Sequence, residues 1–121
     1  MNILITGCNG QLGNEMQLLE KNYPQHTFFN TDVAELDITN QLAINDFVNR
    51  NAIDGIVNCA AYTAVDKAEE QEELAYKINA IGPKNLAIAA KQNNAVLVHI
   101  STDYVFGGDK PVEQDYSEDD E

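Results

Sequence analysis

Two patterns of apolar and polar positions alternate along this chain. Four short runs, rich in apolar and β-branched residues, predict strands at 2–6, 26–31, 55–59 and 95–101. Between these runs apolar residues recur at helical spacing, over about 12–23, 41–50 and 66–93. Strands that alternate with helices are typical of βαβ units, whose strands are parallel. The pattern therefore predicts an α/β protein with helices on both faces of a parallel sheet.

Local signals refine the helices. Thr39 is predicted to cap the helix at 41–50, and Asp66 with Glu69 resembles a capping box at the start of the next helical segment. Gly82-Pro83 interrupts that segment. Because proline lacks an N–H donor and clashes with the preceding turn, we expect a kink or a break there.

The first strand leads directly into Gly7, Gly10 and Gly13, and a helical pattern follows. In a dinucleotide-binding loop the first glycine allows a sharp turn, the second lets the backbone approach a pyrophosphate, and the third lets the helix pack closely. The N–H groups at the helix start then face the anion. A tight turn alone would use the same glycines, but the order strand, glycines, helix favours nucleotide binding.

These features predict a Rossmann-like doubly wound sheet of strand order 3-2-1-4, with ligands at the carboxyl ends of the strands. Asp32 follows the glycines at the distance of an acid that accepts from the adenosine ribose, which favours NADH over NADPH; alternatively it caps a turn. Asp37 either approaches the adenine or caps the next helix. The small residues after Asn58 fit either a flat-lying cofactor or close helix packing.

Composition narrows the classes of function. The 121 residues include 20 acidic and 7 basic ones, for a net charge of −13, which opposes binding to nucleic acid or anionic membranes. We expect one domain at 1–112 and a disordered acidic tail at 113–121. Cys8 and Cys59 form no metal or disulfide motif. Without a targeting or membrane-spanning pattern, the expected location is the cytoplasm.

Four motifs occur in register: the glycine triplet, Asn-Cys-Ala-Ala-Tyr-Thr-Ala-Val-Asp-Lys-Ala-Glu at 58–69, Asn79-Ala80, and Ser-Thr-Asp-Tyr-Val-Phe-Gly at 101–107. In these motifs the chain, from residue 1 to about 115, resembles the extended short-chain dehydrogenase/reductase superfamily and, within it, the dTDP-4-dehydrorhamnose reductase family. The resemblance implies that NADPH or NADH gives a hydride to the 4-keto group of dTDP-4-dehydro-L-rhamnose. The product, dTDP-L-rhamnose, is a donor for bacterial surface polysaccharide.

The resemblance also implies roles for particular residues. The cofactor would be bound by Gly7, Gly10, Gln11, Leu12, Gly13, Asp32, Asp37, Ile38, Ala61, Tyr62 and Thr63. The hydroxyl of Thr102 would hydrogen-bond the keto oxygen, and Asp103 would lie beside it in the sugar pocket. Without the resemblance, Thr102 is better interpreted as a strand-end hydroxyl that bonds to backbone. His99 is predicted to be a packed or partly exposed strand residue, not a ligand or a base.

One family feature is missing. The superfamily delivers a proton from the tyrosine of a Tyr-x-x-x-Lys motif, whose lysine lowers the phenol pKa. The residues four places after the five tyrosines are Thr27, Asp66, Ala80, Gly108 and Asp120. We therefore expect an N-terminal fragment of such an enzyme, without reductase activity of its own. Its fourth strand would be an uncovered edge, which predicts self-association, for example as a homodimer.

Other assignments stay open. Another nucleotide-sugar epimerase or dehydratase would share the glycine loop but not the sequence motifs at 63–69 and 101–107. A non-catalytic regulatory subunit would bind the dinucleotide without turnover, and a Tyr-x-x-x-Lys motif beyond residue 121 would distinguish it from the enzyme. Some relatives carry Mg²⁺, although the sequence identifies no ligands for it.

Overall fold

Four parallel strands form one sheet in the computed structural model, which describes residues 1–102, 105–111 and 113–120. The strands are β1 (Asn2–Thr6), β2 (Thr27–Thr31), β3 (Gly55–Asn58) and β4 (Val96–His99). The helices are α1 (Gln11–Leu19), a 3₁₀ turn (Glu20–Asn22), α2 (Gln41–Arg50), α3 (Val65–Glu70), α4 (Glu72–Tyr76), a π-helical segment (Lys77–Ile81) and α5 (Gly82–Gln92). The α/β class and the parallel, Rossmann-like sheet are confirmed.

The strand order is β2-β1-β3-β4, so the predicted order 3-2-1-4 is wrong. After β2 the chain does not add a third strand beside β2, so β2 forms one edge of the sheet. Leu36 and Ile38 instead bury their side chains in the core, 4% and 6% exposed. The chain then crosses back over β1 through α2, and the third strand pairs with β1 on the side away from β2. The fourth strand lies at a sheet edge, as expected.

The main core lies between the sheet and the helices α2 and α5, which pack side by side. Leu4 and Ile56 of the sheet contact Ile44 of α2 and Leu86 of α5 in this cluster, and all four are fully or almost fully buried. Alternate residues of a strand face opposite sides of the sheet. Ile5 therefore points to the other face, where it too is fully buried.

Two predicted helix caps are wrong. The side chain of Asn40, not Thr39, caps α2 by accepting a hydrogen bond from the backbone N–H of Ala43. The helix α3 begins at Val65 after Ala64, so Asp66 lies within its first turn and forms no capping box. The backbone stays right-handed helical through Ile81 and Gly82, so the break expected at Gly82-Pro83 is absent; there the π-helical segment passes directly into α5, and a kink stays a prediction.

The acidic end of the chain makes contacts in its described part. The ring of Tyr116 stacks on Phe106 with centroids 4.7 Å apart, and the ammonium of Lys110 contacts the carboxylate of Asp120. The division at residues 112 and 113 and the disorder of the tail stay predictions. Among the described helices, none combines the length and the apolar character needed to cross a bilayer.

Candidate functional site at the carboxyl ends of the strands

The three glycines of the loop between β1 and α1 occupy different surroundings. Gly7 has φ +67°, and a Cβ there would lie 2.6 Å from the backbone of Ala60. A Cβ on Gly13 would lie 2.3 Å from the carbonyl oxygen of Gly7. At Gly10 the nearest atom within 4 Å is that same oxygen, at 3.4 Å. Gly7 and Gly13 are thus required by packing, whereas Gly10 borders open space.

The start of α1 provides free donors beside that open space. Gly10 precedes the helix and has no side chain with which to cap it. The first internal bond runs from Asn14 N–H to the Gly10 carbonyl, and the N–H groups before it lack partners within the helix. The first turn of α1, which the structure describes in full, contains no acidic residue. Such a helix start attracts anions.

Asp32 stands at the end of β2 and is bonded to the glycine loop. Its Oδ2 accepts a hydrogen bond from the backbone N–H of Asn9 over 3.0 Å, and its Oδ1 accepts one from Val33 over 2.8 Å. The carbonyl of Asp32 also accepts from the N–H of Leu36. The turn that the sequence offered as an alternative is therefore present, and the carboxylate lies beside the phosphate-type loop.

The two residues expected near the adenine follow in the same loop. Asp37 Oδ1 accepts hydrogen bonds from the N–H and the hydroxyl of Thr39, at 2.9 and 2.7 Å. It does not cap α2, so that alternative is wrong. The side chain of Ile38 is buried, and its carbonyl accepts a hydrogen bond from Asn85 Nδ2 over 3.0 Å. Contact of either residue with an adenine stays a prediction.

The loop after β3 carries Ala61, Tyr62 and Thr63, and it is held at both of its ends. At its start, the N–H of Ala60 donates to Asn58 Oδ1 over 3.1 Å, and the same backbone borders Gly7. Further along, the backbone of Tyr62 is bonded to the side chain of Asn79. The structure thus places this loop directly against the glycine loop.

A row of polar side chains connects three strand ends. The Thr6 hydroxyl donates to Asn58 Oδ1 over 2.7 Å, and Asn58 Nδ2 lies 3.0 Å from His99 Nδ1. Because the Asn58 oxygen already accepts two bonds, its amide nitrogen must donate to His99. His99 is an exposed strand residue with this one structural partner described, in line with the prediction.

Thr102 lies three residues beyond β4, on the side of the sheet where the strands have their carboxyl ends, and is exposed. Asp103, the other predicted sugar contact, lies outside the described residues. The structure therefore joins the glycine loop to Asp32 through Asn9, and to the start of the loop that carries residues 61–63 through Ala60. The cofactor roles of these residues and the substrate roles of Thr102 and Asp103 stay predictions. Sequence reasoning assigned no role to Asn58, Asn79 or Asn85, although an amide in an apolar strand or helix face is itself a signal of a buried hydrogen bond.

The charge around the loop is negative. Burial, followed by the nearby charges of Asp32 and Glu35, raises the pKa of the Cys8 thiol above its ordinary value. Burial also raises the pKa of Cys59. Among the described residues no group of three or more His, Cys, Asp and Glu side chains is arranged to hold a metal ion, so the Mg²⁺ of some relatives finds no support here.

A tyrosine and a lysine do meet in this chain, but not as a proton donor pair. Lys110 Nζ lies 5.0 Å from the centroid of the Tyr116 ring. The phenol oxygen instead accepts from the backbone N–H of Lys110 and donates to Asp109. The ammonium contacts Asp120 and thereby lowers the pKa of that carboxyl. The Lys110 ammonium is thus paired with a carboxylate, and no described hydrogen bond joins it to the phenol oxygen of Tyr116.

The family comparison agrees with this geometry. The family model described as "RmlD substrate binding domain" matches residues 1–121. The chain belongs to this family. A dTDP-4-dehydrorhamnose reductase from Mycolicibacterium smegmatis is 45% identical over 118 residues, which cover 93% of this chain and 35% of that protein. The resemblance inferred from the motifs is confirmed.

Solved structures of family members superimpose closely. A dTDP-4-dehydrorhamnose reductase from Clostridium acetobutylicum gives a TM-score of 0.89 at 56% identity, over 100% of this chain and 42% of that one. The enzyme of the same name from Bacillus anthracis, in complex with NADP, gives 0.83 at 47% identity, over 91% of this chain and 39% of that one. The chain thus spans well under half the length of the family members it matches.

Proposed function

We propose that this chain is the cofactor-binding part of a dTDP-4-dehydrorhamnose reductase and that it binds NADPH or NADH at the carboxyl ends of its strands. The observation that carries the proposal is the contrast among the glycines: two are packed against backbone and the middle one, Gly10, borders open space at the start of α1. The NADP complex of the Bacillus anthracis relative supports the same class of ligand.

The residues present fit such a cofactor. The N–H groups of Gln11 and Leu12 would hold the pyrophosphate, and Asp32 would accept from the adenosine ribose. The 61–63 loop would lie along the middle of the cofactor. When bound, the reduced nicotinamide supplies a hydride for the 4-keto carbon of dTDP-4-dehydro-L-rhamnose. Thr102 would donate a hydrogen bond to the oxygen on which negative charge develops, and Asp103 would contact the sugar.

The proposal also defines what this chain alone does not do. Its sequence has no Tyr-x-x-x-Lys motif, and in the described residues Lys110 meets the phenol oxygen of Tyr116 through its backbone N–H, while its ammonium lies over the ring. We infer that the 121 residues bind the cofactor without reducing the keto sugar. The names of the relatives support a reductase over an epimerase or a dehydratase. A regulatory subunit would differ by lacking a Tyr-x-x-x-Lys motif in a longer form of the chain.

Self-association is part of the proposal. β4 is a sheet edge, and its side chains Val96 and Val98 are 61% and 48% exposed. An edge strand with exposed apolar side chains favours pairing with a second chain, so we propose a homodimer through this edge. The cytoplasmic location and the domain limits at 1–112 and 113–121 remain part of the proposal.

The test is a titration of the chain with NADH and with NADPH, followed through nicotinamide fluorescence, with ADP-ribose as competitor. We expect saturable binding that ADP-ribose reverses, and no oxidation of the cofactor when dTDP-4-dehydro-L-rhamnose is added. Failure of the folded chain to bind either cofactor would refute the binding proposal. Measurable turnover by the 121 residues would refute the proposed division of the active site.

A further inference from the structure

The two loops expected to flank the cofactor are held by one helical segment. The adenine-side loop follows β2 and contains Ile38, and the middle loop follows β3 and contains Tyr62. The two loops are far apart in sequence from the segment that binds them: Asn79 contacts Tyr62 across 17 positions, and Asn85 contacts Ile38 across 47. Asn79 lies in the π-helical segment and Asn85 in α5.

Asn79 holds the middle loop by two bonds to one residue. Its Oδ1 accepts from the Tyr62 N–H over 2.8 Å, and its Nδ2 donates to the Tyr62 carbonyl over 3.1 Å. Only an amide side chain offers an acceptor and a donor at this spacing. The pair of bonds fixes both the position and the rotation of the Tyr62 backbone. Tyr62 gains a further contact through its hydroxyl, which donates to Gln71.

Asn85 and Gly82 hold the adenine-side loop at two points of Ile38. Asn85 is 7% exposed, and its Nδ2 donates to the Ile38 carbonyl over 3.0 Å. The side chain of Ile38 rests over Gly82, where a Cβ would lie 2.5 Å from its Cδ1. The carbonyl and the side chain of Ile38 are thereby both held against α5.

The π-helical segment determines how these two contacts are related. A π turn accommodates an extra residue relative to an α-helix and occurs often at functional sites. Each residue of an α-helix turns by about 100°, so removal of one residue between Asn79 and Asn85 would rotate one amide away from its loop. The π turn at Lys77–Ile81 therefore allows both amides to reach their loops from one continuous helix.

We infer that Asn79 and Asn85 are positioning residues that fix the distance between the two loops and so match the cleft to the length of a dinucleotide. This inference rests on the proposed function. Neither residue needs to touch the cofactor, because each acts through a loop backbone. Loss of Asn85 should then weaken binding of the adenosine half, and loss of Asn79 should weaken binding of the rest.

The test compares Asn85→Ala and Asn79→Ala in the 121-residue chain, with Asn93→Ala as matched control. Asn93 donates the same kind of bond, to the Ala89 carbonyl over 2.9 Å, at the far end of α5. The probes are AMP, which is the adenosine half of the dinucleotide, and NADH. Amide hydrogen exchange measured by mass spectrometry reports the two loops separately.

We expect Asn85→Ala to raise the Kd of AMP about tenfold and to speed exchange at 37–40. Asn79→Ala should leave the Kd of AMP within about twofold, raise that of NADH about tenfold, and speed exchange at 61–64. If Asn85→Ala does not fold, Gly82→Ala provides the second test, because it favours helix but displaces the flexible end of Ile38. It should weaken AMP binding in the same way.

Equal effects of both variants on both probes, or effects no larger than those of Asn93→Ala, would overturn the inference. Failure of the unsubstituted chain to bind either probe has a different meaning. It would refute the proposed function and, with it, the link between the two amides and a cofactor. Hydrogen exchange would then still show whether each amide holds its own loop.

Discussion

Asp32 at the end of β2 accepts a hydrogen bond from the backbone N–H of Asn9 in the glycine loop, over 3.0 Å. The residue expected to bind the ribose therefore also holds the loop expected to bind phosphate. Its negative charge lies beside the expected phosphate site. It would repel the 2′-phosphate of NADPH, which NADH lacks. This relationship leads to two predictions about the same carboxylate.

The first prediction concerns the choice between NADPH and NADH. Asp32→Asn keeps an oxygen that can accept from Asn9 but removes the charge that repels a 2′-phosphate. We expect the ratio of the Kd for NADPH to the Kd for NADH to fall about tenfold, measured by fluorescence titration. Asp54→Asn is the matched control, because Asp54 accepts from the backbone N–H of Asn2 at the opposite edge of the sheet. An unchanged ratio in Asp32→Asn would exclude a role in this choice.

The second prediction uses Cys8 as a reporter of the same charge. Burial first, and then Asp32 and Glu35, raise the pKa of Cys8, so the thiolate is scarce at pH 8. Removal of a negative charge stabilises the thiolate and lowers that pKa. We expect Asp32→Asn to speed alkylation of Cys8 by iodoacetamide, with the pH profile displaced to lower pH, in a Cys59→Ser background.

Cys59 provides the control for that experiment. Burial alone raises the pKa of Cys59, so its alkylation in a Cys8→Ser background should be indifferent to Asp32→Asn. If Asp32→Asn speeds the alkylation of both thiols equally, the substitution has loosened the fold, and the rates do not report the charge of Asp32.

A third prediction concerns the polar row at the strand ends. Asn58 is 1% exposed and bonds to Thr6, Ala60 and His99. Asn58→Ala would leave the buried Thr6 hydroxyl without this acceptor. We expect the free energy of unfolding to fall by about 2–4 kcal/mol in urea denaturation. Thr27→Ala, at an exposed position of β2, should change it by no more than about 0.5 kcal/mol. Near-equal effects would mean that the row does not stabilise the sheet.

A fourth prediction tests the exposed edge. Sedimentation velocity should show the chain associating as its concentration rises. Val98→Lys should return it to a monomer, because an edge charge opposes strand pairing. Val33→Lys is the control, since Val33 is 70% exposed but lies in the loop after β2. A chain that is monomeric throughout would contradict the proposed homodimer.

Several features of the fold and site were predictable from local chemistry. The strand, the glycine spacing and the following helix are contiguous in sequence, and they place the phosphate-type loop correctly. The order of strands was not predictable in this way. It depends on whether the segment 32–40 runs outward or turns back, and the burial of Leu36 and Ile38 decides this through contacts with α2 and α5. The prediction that Thr39 caps α2 was wrong because Thr39 and Asn40 are adjacent and both are residues that cap helices well.

The sequence signals that such amides are bonded, but the partners of Asn79 and Asn85 could not be predicted from it, for a physical reason. Asn79 and Asn85 bond to backbone atoms of loops that are distant in sequence. Backbone partners carry no residue signature, so no pairing of side-chain types announces them. Only the folded chain shows that one helix supports both sides of the cleft.

Binding of a dinucleotide by the glycine loop at Gly10 can be tested directly by comparing Gly10→Ala with Gly13→Ala. A Cβ at Gly10 has room and an ordinary backbone conformation, φ −76°, whereas one at Gly13 would lie 2.3 Å from the Gly7 oxygen. We expect Gly10→Ala to melt close to the unsubstituted chain but to bind NADH at least tenfold more weakly, and Gly13→Ala to be severely destabilised. A stable Gly10→Ala chain that binds NADH with unchanged affinity would contradict dinucleotide binding at Gly10.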